Sequence, residues 1–562
     1  MSSLTVSKLR RVIEVARGER RADLVIKNAQ IVNVITEEIL EGDIAICDDL
    51  IAGVGSYSGI REINADGLFA VPGLIDAHTH IEMSMLTVSE FARIVVPAGT
   101  TCVVADPHEI ANVLGRKGVE LMLEEAKRTP LRLYCQVPSS VPSSHLETSG
   151  AEINVEDVVY LQKLEGVIGL AEMMNFPGVI NAEEEVLQKI VSSRRTVDGH
   201  APGLRGKELN AYISAGIGSD HECTSLEEAE EKLRLGMWVM IREGSAARNL
   251  NSLKGIAGNR HTMLVTDGDR SVRDIIEQGY LDHVFRRAVE EGIDEIKALQ
   301  MLTINPAEYF GIKAGAITPS RYADIILVEN LREFRVKRVI SGGKEPKFEH
   351  FKYPEFAKNT VRASRVTEDD LRISGTGYAR IIEVYDGEIV TGESVERVDG
   401  VDVSRDVLKA VVVERHRGSG RIGKAYVRGF GFKRGAVAQT IAHDAHNIVA
   451  VGAEDRDICT AVNRVIELQG GIVVVDEHVK AELPLPVAGI MSDERAEIVA
   501  EKLQMVEEAI WNLGCELRSP IITLSFIALP VIPKLKVTDL GLIDVEKFTV
   551  AEVYSRSRAS TS

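Results

Sequence analysis

Between residues 68 and 310 the chain keeps one rhythm: a short apolar run, a polar residue or pair that closes it, then a stretch of helical periodicity. The runs are GLFAVPGLIDAHTH, TTCVVADPH, LRLYCQVPS, VIGLAEM, TVDGHAP, GIGSDHE, WVMIREG and HTMLVTDGD, with patterns such as GRKGVELMLEEAKR and SLEEAEEKLRLG between several of them. Near-continuous apolar runs of strand length suit strands covered on both faces, and strands alternating with helices suit a parallel sheet. Eight such units over about 240 residues have the length and order of a (β/α)8 barrel, an α/β fold. Its chemistry is built at the carboxyl ends of the strands, by the residues that close each run.

The first run ends in His78-Thr79-His80. Strand side chains alternate between faces, so the two histidines point the same way and supply half of a metal site. An isolated pair of this kind serves equally well as a loop cap beside a core histidine. The other runs close in the same manner, with Asp106, His108 and Glu109 after the second and Glu172, His200, His221 and Asp267 at later ones. Each alone fits a cap or a loop hydrogen bond. A barrel gathers all of them on one rim, and together they favour a metal centre. Asp106 followed by Pro107 also reads as a helix N-cap with proline in the first turn.

Residues 4–20 alternate apolar and basic positions as an amphipathic helix that packs on the body. Short apolar alternations over 22–55 and again over 311–347 read as strands of a small sheet. The chain then divides into 1–67, a barrel over 68–310, a return segment over 311–347 and an α/β region over 348–562. In that last region AHDAHNIVAVG brings His443, Asp444 and His446 together. No cysteine or carboxylate pair nearby completes a zinc set, so the segment reads as packing or as part of pocket closure. GSGRIGKAYVRGFGFKRGA lacks GxxxxGK[ST] and reads as hairpin turns. The end YSRSRASTS, residues 554–562, is expected to fray.

A net charge of −18 argues against a nucleic-acid partner, whose phosphates are met by clustered Lys and Arg. No apolar run reaches about eighteen residues, which excludes an ordinary membrane-spanning helix. Charges spread through the first residues leave no apolar signal segment, so a soluble cytoplasmic protein is expected. Six scattered cysteines without paired spacing read as reduced thiols.

PGLIDAHTH resembles the first metal-binding strand of the amidohydrolase superfamily, and HIEMSML with ADPHEIANV is similar to its adenine deaminase branch. The resemblance covers nearly the whole chain, including AHDAHN and LPLPVAGIMSD. It implies a barrel flanked by a small β-sandwich built from both flanks, 22–67 and 311–347. It also implies two divalent metal ions (manganese, iron or zinc) held by His78, His80, Glu172, His200, His221 and Asp267. Many relatives carry a carboxylated lysine where this chain has Glu172. The frequent TDDR of the eighth strand is replaced by Thr266-Asp267-Gly268-Asp269-Arg270, which leaves Asp267 in the catalytic place and Asp269 as the fallback.

The implied reaction is hydrolysis of adenine to hypoxanthine and ammonia. A metal-activated water attacks C6, Asp267 relays its proton, and Glu82, with Glu222 behind it, protonates ring N1. His221 orients the water as well as, or instead of, binding metal. Asp106, His108 and Glu109 bind an additional metal or position water and substrate. The implied partner is a small purine base, and a homo-oligomer is expected. A relative acting on another heterocycle or cyclic amide is the competing enzyme. A non-catalytic scaffold competes from outside, and predicts lost ligands.

Overall fold

The computed structural model describes residues 5–245 and 247–555. Eight strands follow one another in chain order around its centre: β1 (Leu74–Thr79), β2 (Thr100–Ala105), β3 (Arg132–Pro138), β4 (Val167–Met173), β5 (Thr196–Gly199), β6 (Ser219–Asp220), β7 (Trp238–Arg242) and β8 (Thr262–Val265). Each is hydrogen-bonded in parallel to the next. All six residues of β2, TTCVVA, are buried, as a strand covered on both faces requires. The helix Leu281–Glu290 shows the complementary pattern, burying Leu281, Val284, Phe285, Ala288 and Val289 along one stripe.

The ring nearly closes where β8 and the turn after it approach β1. The Asp267 amide donates to the His78 carbonyl (3.1 Å) and the Thr266 hydroxyl to Asp76 Oδ2 (2.7 Å). Gly268 sits at φ +68°, and a Cβ there would lie 2.6 Å from the His80 carbonyl oxygen. Only glycine allows the chain after β8 to lie so close to the backbone of the first strand, which accounts for the departure from TDDR at that position.

Both flanks of the barrel feed one seven-stranded sheet. Five of its strands precede the barrel, Ala22–Asn33, Glu38–Cys47, Leu50–Gly55, Gly59–Asn64 and Phe69–Pro72, and two follow it, Ile325–Val328 and Val336–Ile340. Phe69–Pro72, which the sequence rhythm counts with the barrel, pairs instead with Ile325–Val328 in this sheet. The basic helix spans Val6–Ala16 and is capped by Thr5, whose hydroxyl accepts the Lys8 amide (3.2 Å); Leu4 lies outside the described residues.

The remaining chain forms a nine-stranded, mostly antiparallel sheet, a three-stranded sheet, and the long helices Asp455–Leu468 and Ala496–Asn512. This C-terminal unit is fastened to the barrel rim. The Ser492 amide donates to the Met85 carbonyl (2.8 Å), the Thr148 hydroxyl donates to Asp539 (2.7 Å), and Arg93 pairs with Glu497 (2.6 Å). From residue 556 onward the segment expected to fray lies outside the described residues. Among the described residues no helix is long and apolar enough to cross a membrane, and all six cysteines are buried and unpaired.

Candidate active site

Seven strands deliver a polar side chain to one rim of the barrel: His78 and His80 from β1, Asp106 after β2, Glu172 from β4, His200 after β5, His221 after β6, Arg242 at the end of β7 and Asp267 after β8. His78 and His80 face the same carboxylate oxygen, with Nε2 atoms 3.2 and 3.3 Å from Asp267 Oδ1. Thr79 between them points the other way, to the Tyr280 hydroxyl (2.9 Å).

Glu172 divides its carboxylate between two histidine pairs. Oε2 is 2.6 Å from His200 Nδ1 and 2.9 Å from His221 Nε2, while Oε1 is 3.6 Å from His80 Nε2 and 4.0 Å from His78 Nε2. The arrangement offers two adjacent places for a cation with one carboxylate between them. Overlapping sets of three or more ligand atoms, such as His78-His80-Asp267 and His78-Glu172-His221, come close enough to hold an ion.

The donor atoms fit a cation in three further respects. Both ring nitrogens of His78 are buried without an aligned hydrogen-bond partner, although Nε2 lies near Asp267. His80 Nδ1 is 2.9 Å from the Asp106 carbonyl, which only accepts, so Nδ1 carries a ring proton and Nε2 is the nitrogen turned into the cluster. The charges point the same way. Burial and His108 push His80 down, yet Asp267 and Glu172 hold it up at about 9. Burial likewise opposes the charged form of His221, which Glu172 and Asp267 raise to about 10. Against the same burial, the surrounding imidazoles keep both Glu172 and Asp267 well below the usual carboxylate range. The buried Glu172 and the half-buried Asp267 therefore draw positive charge to this point, of the kind a divalent cation carries.

The other predicted residues separate into those at the centre and those beside it. Glu82 is buried, accepts the Ile110 amide at Oε1 (3.2 Å), and leaves Oε2 without a partner. Burial, reinforced by Glu109, pushes its carboxyl up to about 7. Glu222 lies 3.5 Å from His221 and 3.7 Å from His200 but is clasped by Arg242 (2.5 and 3.1 Å). Asp106 does not cap the helix His108–Leu114, which has no side-chain cap; its Oδ2 accepts the Glu172 amide (2.8 Å) and lies 3.3 Å from His108 Nδ1. The N-cap reading fails because a tertiary partner outbids the local one. Asp269 is turned away from the cluster and accepts the Ala247 amide (2.7 Å), so the fallback position braces a loop. Glu109 meets His443 and His446 of the C-terminal unit instead of the rim cluster.

Residues 69–345 match the amidohydrolase family, and residues 386–549 match the adenine deaminase C-terminal domain. The adenine deaminase of Archaeoglobus fulgidus is 72% identical over 555 residues, covering 98% of this chain and 100% of the relative. The chain belongs to the adenine deaminase family. A second adenine deaminase, from Dehalococcoides mccartyi, is 45% identical across 96% of this chain and 98% of its own length. Among solved structures, the beta-aspartyl dipeptidase of Fervidobacterium islandicum AW-1 is 20% identical, with a TM-score of 0.45, covering 60% of this chain and all of that one.

In this adenine deaminase family member, sequence reasoning passed over two residues that shape the rim. Arg242 donates to Asp267 Oδ2 (3.0 Å) while clasping Glu222, so it fixes the carboxylate whose other oxygen faces the HxH pair. The signal was available: Arg242 closes the apolar run WVMI as the other site residues close theirs. Asp76, fully buried, accepts from the Thr266 and Tyr280 hydroxyls (2.7 Å each) and locks β1 to the turn after β8. Beyond its place beside the HxH pair, nothing in the sequence marks that role.

Proposed function

We propose that this chain is an adenine deaminase that hydrolyses adenine to hypoxanthine and ammonia at the β-strand rim. The observation that carries the reading is the division of Glu172 between the pairs His78/His80 and His200/His221, with Asp267 on the first pair. These six residues would hold two divalent cations; mixed imidazole and carboxylate donors suit manganese, iron and zinc. Bound there, such cations would act as Lewis acids and lower the pKa of water to about 7.

The chain's own groups then move the protons. Asp267, oriented by Arg242, accepts the proton of the attacking water and passes it to the departing amine. Glu82 presents its unpartnered Oε2 and, raised to about 7, keeps a population of protonated carboxyl at neutral pH that can give a proton to ring N1. A bond forms between C6 and the water oxygen, the C6–N bond breaks and ammonia leaves; the second water proton, released as the C6–oxygen double bond forms, restores the Glu82 carboxyl. Among the active-site imidazoles His200 is the least covered, with its side chain 28% exposed, which marks the side from which a flat base would enter.

The test is a panel of purines and pyrimidines offered to the full chain loaded with Mn²⁺, Fe²⁺ or Zn²⁺, read by ammonia release and by the ultraviolet change. Adenine is expected to turn over fastest. Preference for guanine, a pyrimidine or a cyclic amide would replace the substrate assignment, and a full metal complement without turnover of any of them would favour a scaffold.

A further inference from the structure

A second group of metal-binding side chains is buried where the barrel meets the C-terminal unit. Glu109 comes from the helix His108–Leu114 that follows β2; His443 and His446 come from the loop between the strands Ala436–Gln439 and Ile448–Gly452. All three are at most 4% exposed. Glu109 Oε1 lies 2.7 Å from His443 Nδ1, Oε2 contacts His446 Nε2, and the three ligand atoms fall within 4.8 Å of one another.

We propose that Glu109, His443 and His446 bind a further divalent cation, separate from those of the catalytic rim, which ties the loop after β2 to the C-terminal unit. Two imidazole nitrogens and one carboxylate make a three-residue protein ligand set of the kind that holds zinc with one position left open. None of the three belongs to the set assigned to the rim. His108 stands between the two centres, its ring centroid 4.6 Å from that of His80 and its Nε2 3.5 Å from Glu109 Oε1.

Two observations go beyond the proximity of the ligands. First, His443 Nε2 and Asp444 Oδ2 are buried without any hydrogen-bond partner, so the loop carries polar atoms that its own contacts leave unsatisfied. With no acceptor fixing it otherwise, His443 Nε2 can carry the ring proton and leave the Nδ1 lone pair facing Glu109 for a cation. Second, the loop that presents the histidines is held from outside. His416 Nε2 lies 2.6 Å from the Ala445 carbonyl, Asn447 donates to the Thr148 carbonyl (2.9 Å), and Arg415 reaches the His446 carbonyl while also donating to Thr360 (3.0 Å) and Ala488 (2.9 Å). The loop backbone is thus held by groups other than Glu109, and His446 Nδ1, 3.2 Å from the Thr440 carbonyl, orients that imidazole, as in preorganised ligands.

The competing arrangement is an ion-pair cluster in which protons do the work of the cation, and zinc content separates the two. Full-length protein is loaded with Zn²⁺, freed of excess by gel filtration, and analysed for zinc per chain alongside His443→Ala/His446→Ala and His78→Ala/His80→Ala. The first variant is expected to hold one equivalent less than the parent, while the second loses rim zinc and keeps this one. Equal zinc in the parent and His443→Ala/His446→Ala overturns the proposal; equal zinc in the parent and His78→Ala/His80→Ala overturns the rim assignment alone. Zinc-edge anomalous scattering from crystals of the unaltered chain repeats the test without depending on a variant's folding. A peak between Glu109, His443 and His446 is expected, and a map empty at that point refutes the site whatever it shows at the rim.

Discussion

Because the Glu172 carboxylate turns one oxygen to each histidine pair, removing its charge should loosen both cation positions at once. Glu172→Gln is expected to lose at least half of the rim metal on gel filtration, measured by elemental analysis; full retention would mean that the carboxylate is not the bridge. Asp267 is different, because Arg242 holds Oδ2 and Asn keeps an oxygen that can face His78 and His80. Asp267→Asn should therefore keep its metal while kcat falls about 10²- to 10⁴-fold, the range of a lost general base. Unchanged ammonia release would assign the proton relay elsewhere. These residues were legible in the sequence because each closes an apolar run, a pattern written in a handful of neighbouring positions. Asp106 shows where that reading stops. Its neighbours spell an N-cap, and the partner it takes instead, the Glu172 amide, lies 66 positions along the chain.

At the scale of elements the same contrast holds. The eight strands could be read from their apolar runs, and the small sheet was expected from two flanking stretches. That Phe69–Pro72 leaves the barrel for that sheet could not be read, since its apolar run continues with only Gly73 before β1. Nor could the burial of Lys536, in the strand Leu535–Thr538, be seen in a segment that reads as an ordinary alternation, LKVT. Its ammonium donates to the Ile389 and Phe526 carbonyls (2.9 Å each), and burial pushes its pKa from 10.5 down to about 7. The folded state thus releases this proton near pH 7, whereas the unfolded chain keeps it to about pH 10.5. Within that window the unfolded state binds more protons, so this lysine makes stability rise with pH, by up to roughly 1.4 kcal/mol per unit. Urea unfolding between pH 7.5 and 9.5 should show the parent gaining stability relative to Lys536→Met as pH rises. Parallel curves would mean that the lysine is charged in the folded protein.

The whole molecule behaves as one body if its interfaces mean what their composition implies. A single hydrophobic cluster runs from Phe91 and Val95 of the barrel to Val499 and Val506 of the C-terminal unit. Polar fastenings surround it, among them Thr148 with Asp539 and Arg93 with Glu497. Apolar surface shared in this way would be exposed if either part unfolded first, which couples the two. The AHDAHN segment read as packing or pocket closure, but its partner could not be read: Glu109 and His446, which meet at this interface, are 337 positions apart and neither stretch names the other. The chain carries its own reporters, since its two tryptophans fall one in each part, Trp238 on β7 and Trp511 in the helix Ala496–Asn512. With Trp511→Phe and Trp238→Phe leaving one reporter apiece, fluorescence should trace thermal transitions that coincide within a few degrees. A C-terminal signal that melts well before the barrel signal would show two independent domains. In that case the histidine loop would leave Glu109 before the barrel opened, and no cation could be shared across the interface in the intermediate.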